Sequence, residues 1–155
     1  MRKQLIYLLP VVLLCSCSGG ELYSHYQSFA GQQWSADSAV VYQFEVQDTT
    51  THYDMVLNLR HHTTYPFQNI WLFTRLYKDS VLLKTDTLDY YLCDQRGRWL
   101  GEGFGALRDM PMLYRRNIRF ATAGTYRLEV QHGMRDTLLR GVSDLGLQIA
   151  AYVEE

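Results

Sequence analysis

Hydrophobic and polar residues alternate along most of the chain from residue 39 onward. A period of two, rich in β-branched and aromatic side chains, is typical of strands that bury one face. The apolar positions that alternate are Val40, Tyr42, Phe44 and Val46; Tyr53, Met55, Leu57 and Leu59; Leu88, Tyr90 and Leu92; Tyr126, Leu128 and Val130; and Leu145, Leu147, Ile149, Ala151 and Val153. The pattern predicts a strand at each of these segments.

The segments between the alternating runs support the same fold class. Residues 70–77 carry apolar side chains on both faces, as expected of a central strand covered on both faces. Turn-forming residues cluster at 78–80, 94–97 and 121–124, and only residues 133–141 hint at a short helix. We therefore predict an all-β fold: a single antiparallel β-sandwich, Ig-like or jelly-roll-like, of about seven or eight strands.

The N-terminus has the form of a secretory signal. Arg2 and Lys3 precede an apolar stretch over residues 5–14, which is shorter than the roughly 20 residues of a membrane-spanning helix. Residues 14–17, Leu-Cys-Ser-Cys, resemble the lipobox of bacterial lipoproteins. That resemblance implies cleavage after Ser16 and attachment of lipid, including palmitate-type acyl chains, to Cys17. An ordinary signal peptide with a chance cysteine is the alternative.

These features divide the chain into three parts. We expect a lipoprotein signal peptide at 1–16, a lipidated tether at 17–38 and the β-sandwich domain at 39–155. The tether would become ordered where its large aromatic side chains meet the domain, at Tyr23, Tyr26, Phe29 and Trp34. Once Cys15 is removed and Cys17 is lipidated, Cys93 has no disulfide partner, so we expect it to be a buried, unreactive thiol.

Composition and charge exclude several classes of protein. The chain has 155 residues, 47% of them hydrophobic, which suits one domain with a core and argues against intrinsic disorder. Lys plus Arg number 15 and Asp plus Glu number 16, without a basic block. We therefore expect no nucleic-acid partner.

No motif points to catalysis or to a cofactor. The glycines of residues 97–105 lack the spacing of a dinucleotide-binding loop, and Ser143 lacks the second glycine of a nucleophile elbow. His61 and His62 are adjacent, so they point to opposite faces of a strand and do not share a metal. We predict no catalytic, cofactor-binding or metal-binding residues, and the protein is not expected to be an enzyme. A hydrolase with carboxylates from distant strands stays open.

Two loops carry aromatic residues outside the alternating pattern, and they are the candidate interaction loops. One contains Tyr65, Pro66 and Phe67, and the other contains Trp99, Leu100 and Gly101. Large side chains beside flexible glycines are suited to contact a partner, with Trp99 as the expected anchor. Two alternatives remain: these residues cap the ends of the core, or Trp99 and nearby tyrosines stack on sugars in a carbohydrate-binding module.

The same loops resemble the gliding-motility lipoprotein GldH family of Bacteroidetes. The resemblance is carried by residues 59–73, LRHHTTYPFQNIWLF, and then, in the same order, by GRWLG at 97–101, GTY at 124–126, Met134-Arg135 and LGL at 145–147. It extends over nearly the whole chain.

The resemblance implies a non-enzymatic lipoprotein of the cell envelope. It further implies a role in gliding motility and the type IX secretion machinery, through contacts with other envelope and motility proteins. In this phylum, an acidic cluster directly after the lipidated cysteine resembles a surface-export signal. Here only one acidic residue, Glu21, closely follows Cys17. We therefore expect anchoring in the outer membrane, facing the periplasm.

Overall fold

The computed structural model describes residues 20–154, so the predicted signal peptide and Cys17 lie outside the described residues. Within this range the chain forms ten strands and one 3₁₀ turn at Ala30–Gln32, and no α-helix. No helix between residues 20 and 154 has the length and apolar character needed to cross a membrane. The strands are β1 (Glu21–Ser28), β2 (Gln33–Ser35), β3 (Val40–Val46), β4 (Tyr53–His62), β5 (Asn69–Lys78), β6 (Val81–Tyr91), β7 (Leu107–Ile118), β8 (Gly124–His132), β9 (Leu138–Arg140) and β10 (Val142–Ala151).

The eight long strands form two four-stranded sheets. One sheet has the order β1-β10-β4-β7 and the other β3-β8-β5-β6, while the short strands β2 and β9 pair with each other. Every pairing is antiparallel. Counted without the two short strands, the sheets read 1-8-3-6 and 2-7-4-5, which is the strand order of a jelly roll. The prediction of an all-β antiparallel sandwich is confirmed.

Alternation places the core as expected. Strands β3, β4 and β8 bury every second residue, because successive side chains of a strand point to opposite faces. Leu57, Leu128 and Ile149 are fully buried between the sheets. Cys93 is also buried and free.

Polar bonds join the two sheets at both edges. The hydroxyl of Tyr42 on β3 donates to the carbonyl oxygen of Leu145 on β10 over 2.7 Å. At the other edge, the hydroxyl of Thr74 on β5 donates to the hydroxyl oxygen of Tyr114 on β7 over 3.2 Å. Because buried hydroxyls are costly when unpaired, these bonds help to fix how the sheets align.

Two of the predictions differ from the structure. Strand β5 is central, between β8 and β6, but its outer face is open: Trp71 and Phe73 are 41% and 48% exposed. No helix forms at residues 133–141, where a loop leads into β9. That prediction was wrong because Leu138 and Leu139 pair with β2 residues, and this contact is distant in sequence.

The sandwich also begins earlier than residue 39. The segment predicted as a tether supplies β1, which pairs along β10, and β2, which pairs with β9. Trp34 is fully buried, its ring stacks on Phe29 at 5.0 Å, and its indole N–H donates to the carbonyl oxygen of Ser38 over 2.8 Å. The sequence pattern did not predict β1, because an edge strand exposes most of its side chains and its residues are largely polar.

Candidate functional site

The sandwich has two ends of different character. At one end the described chain begins, where the backbone N–H of Ala151 donates to the carbonyl oxygen of Gly20 over 2.7 Å. Tyr53 marks the same end, since it pairs with Ala151 on one side and Ile118 on the other. We call this the entry end. The connections that follow β1, β4, β6 and β8 all lie at the opposite end, which we call the loop end.

All six candidate interaction residues lie at the loop end. Tyr65, Pro66 and Phe67 follow β4, and Trp99, Leu100 and Gly101 follow β6. A ten-residue strand such as β4 is roughly 33 Å long, so these residues are about that far from Gly20. The structure brings the two loops together, with the rings of Tyr65 and Trp99 at 6.5 Å between centroids.

Tyr65 holds the first loop in place. Its side chain is 4% exposed, its backbone N–H donates to the His62 carbonyl oxygen over 2.9 Å, and its hydroxyl donates to the Asn69 carbonyl oxygen over 3.1 Å. Burial raises the pKa of the Tyr65 hydroxyl far above its ordinary value, so it stays protonated. Phe67 packs edge-on against Tyr65 at 5.9 Å and is half-buried, while Pro66 is exposed. Tyr65 therefore caps the core, and Pro66 is the most exposed of the three candidate residues in this loop.

Trp99 is half-buried as well. A turn sets it in place: the N–H of Gly97 donates to the carbonyl oxygen of Asp94 over 2.9 Å, and the φ of +76° at Gly97 suits glycine. The side of Trp99 that faces the core rests on His61, with 4.6 Å between ring centroids. Only part of the Trp99 side chain is therefore exposed to solvent.

The glycine-rich loop turns back onto the start of β7. A Cβ added to Gly101 would lie 2.8 Å from the carbonyl oxygen of Asp109, so glycine is required for this close approach. Leu100 is 52% exposed, and Phe104, at the tip of the loop, is fully exposed. The sequence analysis did not select Phe104, although its position between Gly103 and Gly105 was a usable signal.

Two buried histidines lie beneath the loops. The Nδ1 of His61 is 3.1 Å from the carbonyl oxygen of His62, and the Nε2 of His132 is 3.1 Å from that of Trp34. The other ring nitrogen of each has no hydrogen-bond partner among the described residues. Burial lowers the pKa of both rings, which are therefore neutral at pH 7.

The open face of β5 adjoins the loop end. Trp71 and Phe73 point outward from it, and a groove of about 420 Å³ runs beside them, lined by Phe67, Asn69, Trp71, Gly133, Met134 and Arg135. The side-chain amide of Asn69 donates to Asp89 over 2.7 Å, which keeps a carboxylate beside the aromatic pair. In residues 20–154, no group of three or more His, Cys, Asp or Glu side chains is placed to hold a metal ion.

The family model and the curated relatives that match this chain agree on one family. The family model described as GldH lipoprotein matches residues 21–149. The gliding motility lipoprotein GldH homolog of Christiangramia forsetii is 30% identical over 151 residues, covering 93% of this chain and 92% of its own. Gliding motility lipoprotein GldH of Flavobacterium johnsoniae is also 30% identical over 151 residues, covering 93% of each chain.

A search of solved structures found the dimeric latent PorU of Porphyromonas gingivalis. The match has a TM-score of 0.36 and 9% sequence identity, and it covers 89% of this chain but only 14% of that one. A similarity at this level supports no conclusion about function.

Proposed function

This chain belongs to the GldH lipoprotein family, and on that basis we propose that it supports gliding motility and the type IX secretion machinery from a lipid anchor at Cys17. Its role would be non-enzymatic. The loop end would contact other envelope proteins, and the lipid would hold the protein in the outer membrane, facing the periplasm.

The described chain begins at the end of the sandwich opposite the candidate loops, and this observation carries the proposal. Cys17 precedes Gly20 by three residues, a distance of at most about 11 Å of extended chain. A lipid on Cys17 would therefore keep the entry end close to the bilayer. The candidate loops, about 33 Å away along β4, would then face the compartment in which partners are found.

The loop end also exposes the side chains that a protein contact needs. Leu100 and Phe104 are exposed on the glycine-rich loop, and Leu138 on β9 is 42% exposed at the same end. Exposed apolar residues grouped on loops over a rigid scaffold favour partner binding, because their burial supplies most of the free energy of association. Tyr65 and Trp99 would act by holding the loops in one conformation.

Co-purification with a matched pair of variants tests this proposal. Leu100 and Leu113 are 52% and 47% exposed, but Leu113 lies in the middle of β7, away from the loops. The lipidated protein is to be isolated from envelopes of its own organism, and the bound proteins identified by mass spectrometry. We expect Leu100→Thr to lose motility and secretion proteins that Leu113→Thr retains. Equal recovery with both variants would contradict a contact at the loop end.

A second candidate function, glycan binding, is favoured by the open face of β5. Trp71 and Phe73 expose aromatic rings on the open face of the sheet, and Asn69, Asp89 and Arg135 lie beside them. Aromatic faces attract the polarised C–H groups of a sugar ring, and amide, carboxylate and guanidinium groups bond its hydroxyls. Titration of envelope polysaccharides by calorimetry tests this: Phe73→Ala should abolish the heat of binding, and Leu100→Thr should not.

A further inference from the structure

The entry end holds a cleft of its own between the two sheets. It has a volume of about 360 Å³ and lies between the β5–β6 hairpin and the segment that follows β7. Its apolar lining comes from Leu76, Leu83, Ile118, Phe120 and Tyr126. Phe120 is buried against Tyr53, with 5.9 Å between ring centroids, and Tyr53 belongs to the strand that begins at the entry end. The cleft therefore lies at the same end of the sandwich as Gly20, the first described residue.

Basic side chains surround this cleft, and no acidic residue lines it. The four basic residues in its lining are Lys78, Lys84, Arg115 and Arg119. Three of them have carboxylate neighbours: Lys78 bonds Asp79 at 2.7 Å, Lys84 is 3.5 Å from Asp86, and Arg115 also pairs with Asp86. Arg119 is exposed and has no carboxylate within 4.0 Å among residues 20–154. The balance at the cleft is cationic.

The hairpin beside the cleft exposes an unusual run of apolar residues. Val81, Leu82 and Leu83 are 65%, 49% and 52% exposed, and they are consecutive. Such a run is unfavourable in water. Lys78 and Lys84 flank it on either side, and apolar residues bounded by lysines are suited to the membrane interface, where apolar groups enter the acyl region and ammonium groups stay with the phosphates.

The acidic residues at the same end include Glu45, Asp48 and Asp79, and Glu45 lies outside the lining of the cleft. Both carboxylate oxygens of Asp48 accept hydrogen bonds from Thr50 and Thr51 in their own turn, which holds the pKa of Asp48 well below its ordinary value and keeps it charged. Asp79 is occupied by Lys78. Neither residue lines the cleft.

We propose that the entry end docks on the bilayer through residues 81–83, and that the cleft beside them takes an anionic phospholipid, with its phosphate held by Lys84 and Arg119. The proposal rests on the proposed function, because lipid on Cys17 is what brings this end to the membrane. A docked domain would have a defined orientation, with the loop end pointing away from the bilayer.

The experiment uses the lipidated protein in vesicles, with a fluorophore at Leu82→Cys in a Cys93→Ser background. Quenching by lipids brominated on their acyl chains reports contact of the hairpin with the bilayer interior. We expect quenching in vesicles that contain phosphatidylglycerol, and much less in phosphatidylcholine alone. Lys84→Gln and Arg119→Gln should each lower the ratio of docked to undocked protein about fivefold. Arg140→Gln, an exposed change at the loop end, should leave that ratio unchanged.

The controls distinguish the docking proposal from the proposed lipid anchor at Cys17. A fluorophore at Phe104→Cys, at the loop end, should not be quenched. Protein that stays with the vesicles but shows no quenching at residue 82, or equal quenching in both kinds of vesicle, would overturn the docking proposal alone. Free inorganic phosphate at moderate ionic strength is a further control. If it abolished the extra quenching seen with phosphatidylglycerol, the basic residues would bind a soluble anion, and the docking proposal would be overturned too. Protein that washes off the vesicles would instead contradict the anchor at Cys17.

Discussion

The ring of Trp99 covers the ring of His61, with 4.6 Å between their centroids and an angle of 60° between their planes. His61 belongs to β4 and is fully buried, whereas Trp99 belongs to a loop that joins β6 to β7. One side chain thus belongs to the loop end and to the core at the same time. Its removal would affect both stability and any contact that the loops make.

The first prediction concerns Trp99 itself. We expect Trp99→Ala to lower the free energy of unfolding by about 2 kcal/mol, less than for a fully buried tryptophan, because only one side of the ring is packed. Urea unfolding followed by circular dichroism measures this. Trp99→Phe keeps an aromatic ring on His61 and should recover most of the loss. An unfolding curve of Trp99→Ala that matches the unmodified protein would mean that the ring does not support the core.

The second prediction is a dependence of stability on pH. The pKa values of His61 and His132 are lowered from 6.5 by burial, so the unfolded chain binds protons more readily than the folded one below that pH. The free energy of unfolding should therefore be highest above about pH 7. It should fall as the pH drops through 6.5 towards the lower pKa values of the folded state. Urea midpoints measured between pH 8 and pH 5 test this.

A matched variant distinguishes these histidines from the carboxylates. His61→Gln keeps a polar side chain that is not charged in acid, so its stability should change less between pH 8 and pH 5 than that of the unmodified protein. His52→Gln, outside the core, should leave the dependence unchanged. If all three proteins lost stability in parallel, the dependence on pH would come from groups other than His61.

The third prediction compares the two faces of the strands. Leu57→Ala, Leu128→Ala and Ile149→Ala should each cost about 2–5 kcal/mol, because each removes a fully buried side chain. Gln43→Ala, on the exposed face of β3, should change stability by no more than about 0.5 kcal/mol. Glu129 differs from Gln43 although the sequence pattern treats them alike, since Glu129 pairs with both Arg75 and Arg127. We expect a larger loss for Glu129→Ala than for Gln43→Ala.

The contrast between Gln43 and Glu129 shows how far the sequence pattern extends. Alternation predicted the buried face of β3, β4 and β8 correctly, because that periodicity follows from the geometry of a single strand. It gave no information on the strand pairing that joins Glu129 to Arg75, or on the loop contact that brings Trp99 to His61. Those contacts depend on residues far apart in sequence.

The candidate loops illustrate the same limit. Their location in the chain was recognisable, since Tyr65 and Trp99 stand outside the alternating runs. The burial of Tyr65 and the full exposure of Phe104 were not, because both depend on how the loops fold back onto β4 and β7.

The fourth prediction concerns the anchor. Acylation at Cys17 would bury far more methylene groups than one myristoyl chain does, at about 0.8 kcal/mol for each, so attachment would be permanent in practice. We expect Cys17→Ser to leave either uncleaved precursor or protein that washes from membranes without detergent. Ser18→Ala provides the control and should fractionate with membranes. A Cys17→Ser protein of mature mass that stayed with membranes would contradict the lipoprotein assignment of this residue.

The last prediction concerns Asp86, a half-buried carboxylate on β6. Asp86 and Asp89 lie three residues apart on β6 and point to opposite faces, because side chains alternate along a strand. Asp86 faces the interior, where it accepts hydrogen bonds from the Tyr114 hydroxyl, over 3.1 Å, and from the Arg115 guanidinium. Asp89 faces outward and bonds Asn69. Asp86 is thus part of a bridge between β6 and β7, at the edge of the sandwich.

Removing this carboxylate should therefore affect stability. Asp86→Ala leaves the half-buried Arg115 without its partner, and we expect a loss of about 1–3 kcal/mol. Tyr114→Phe removes one hydroxyl and should cost less. Arg115→Met combined with Asp86→Ala should cost less than the sum of the two single changes, because the second change removes a charge that the first has left unpaired. Additive losses in urea unfolding would show that the two side chains do not interact, and a bridge between the sheet edges would then be the wrong account of Asp86.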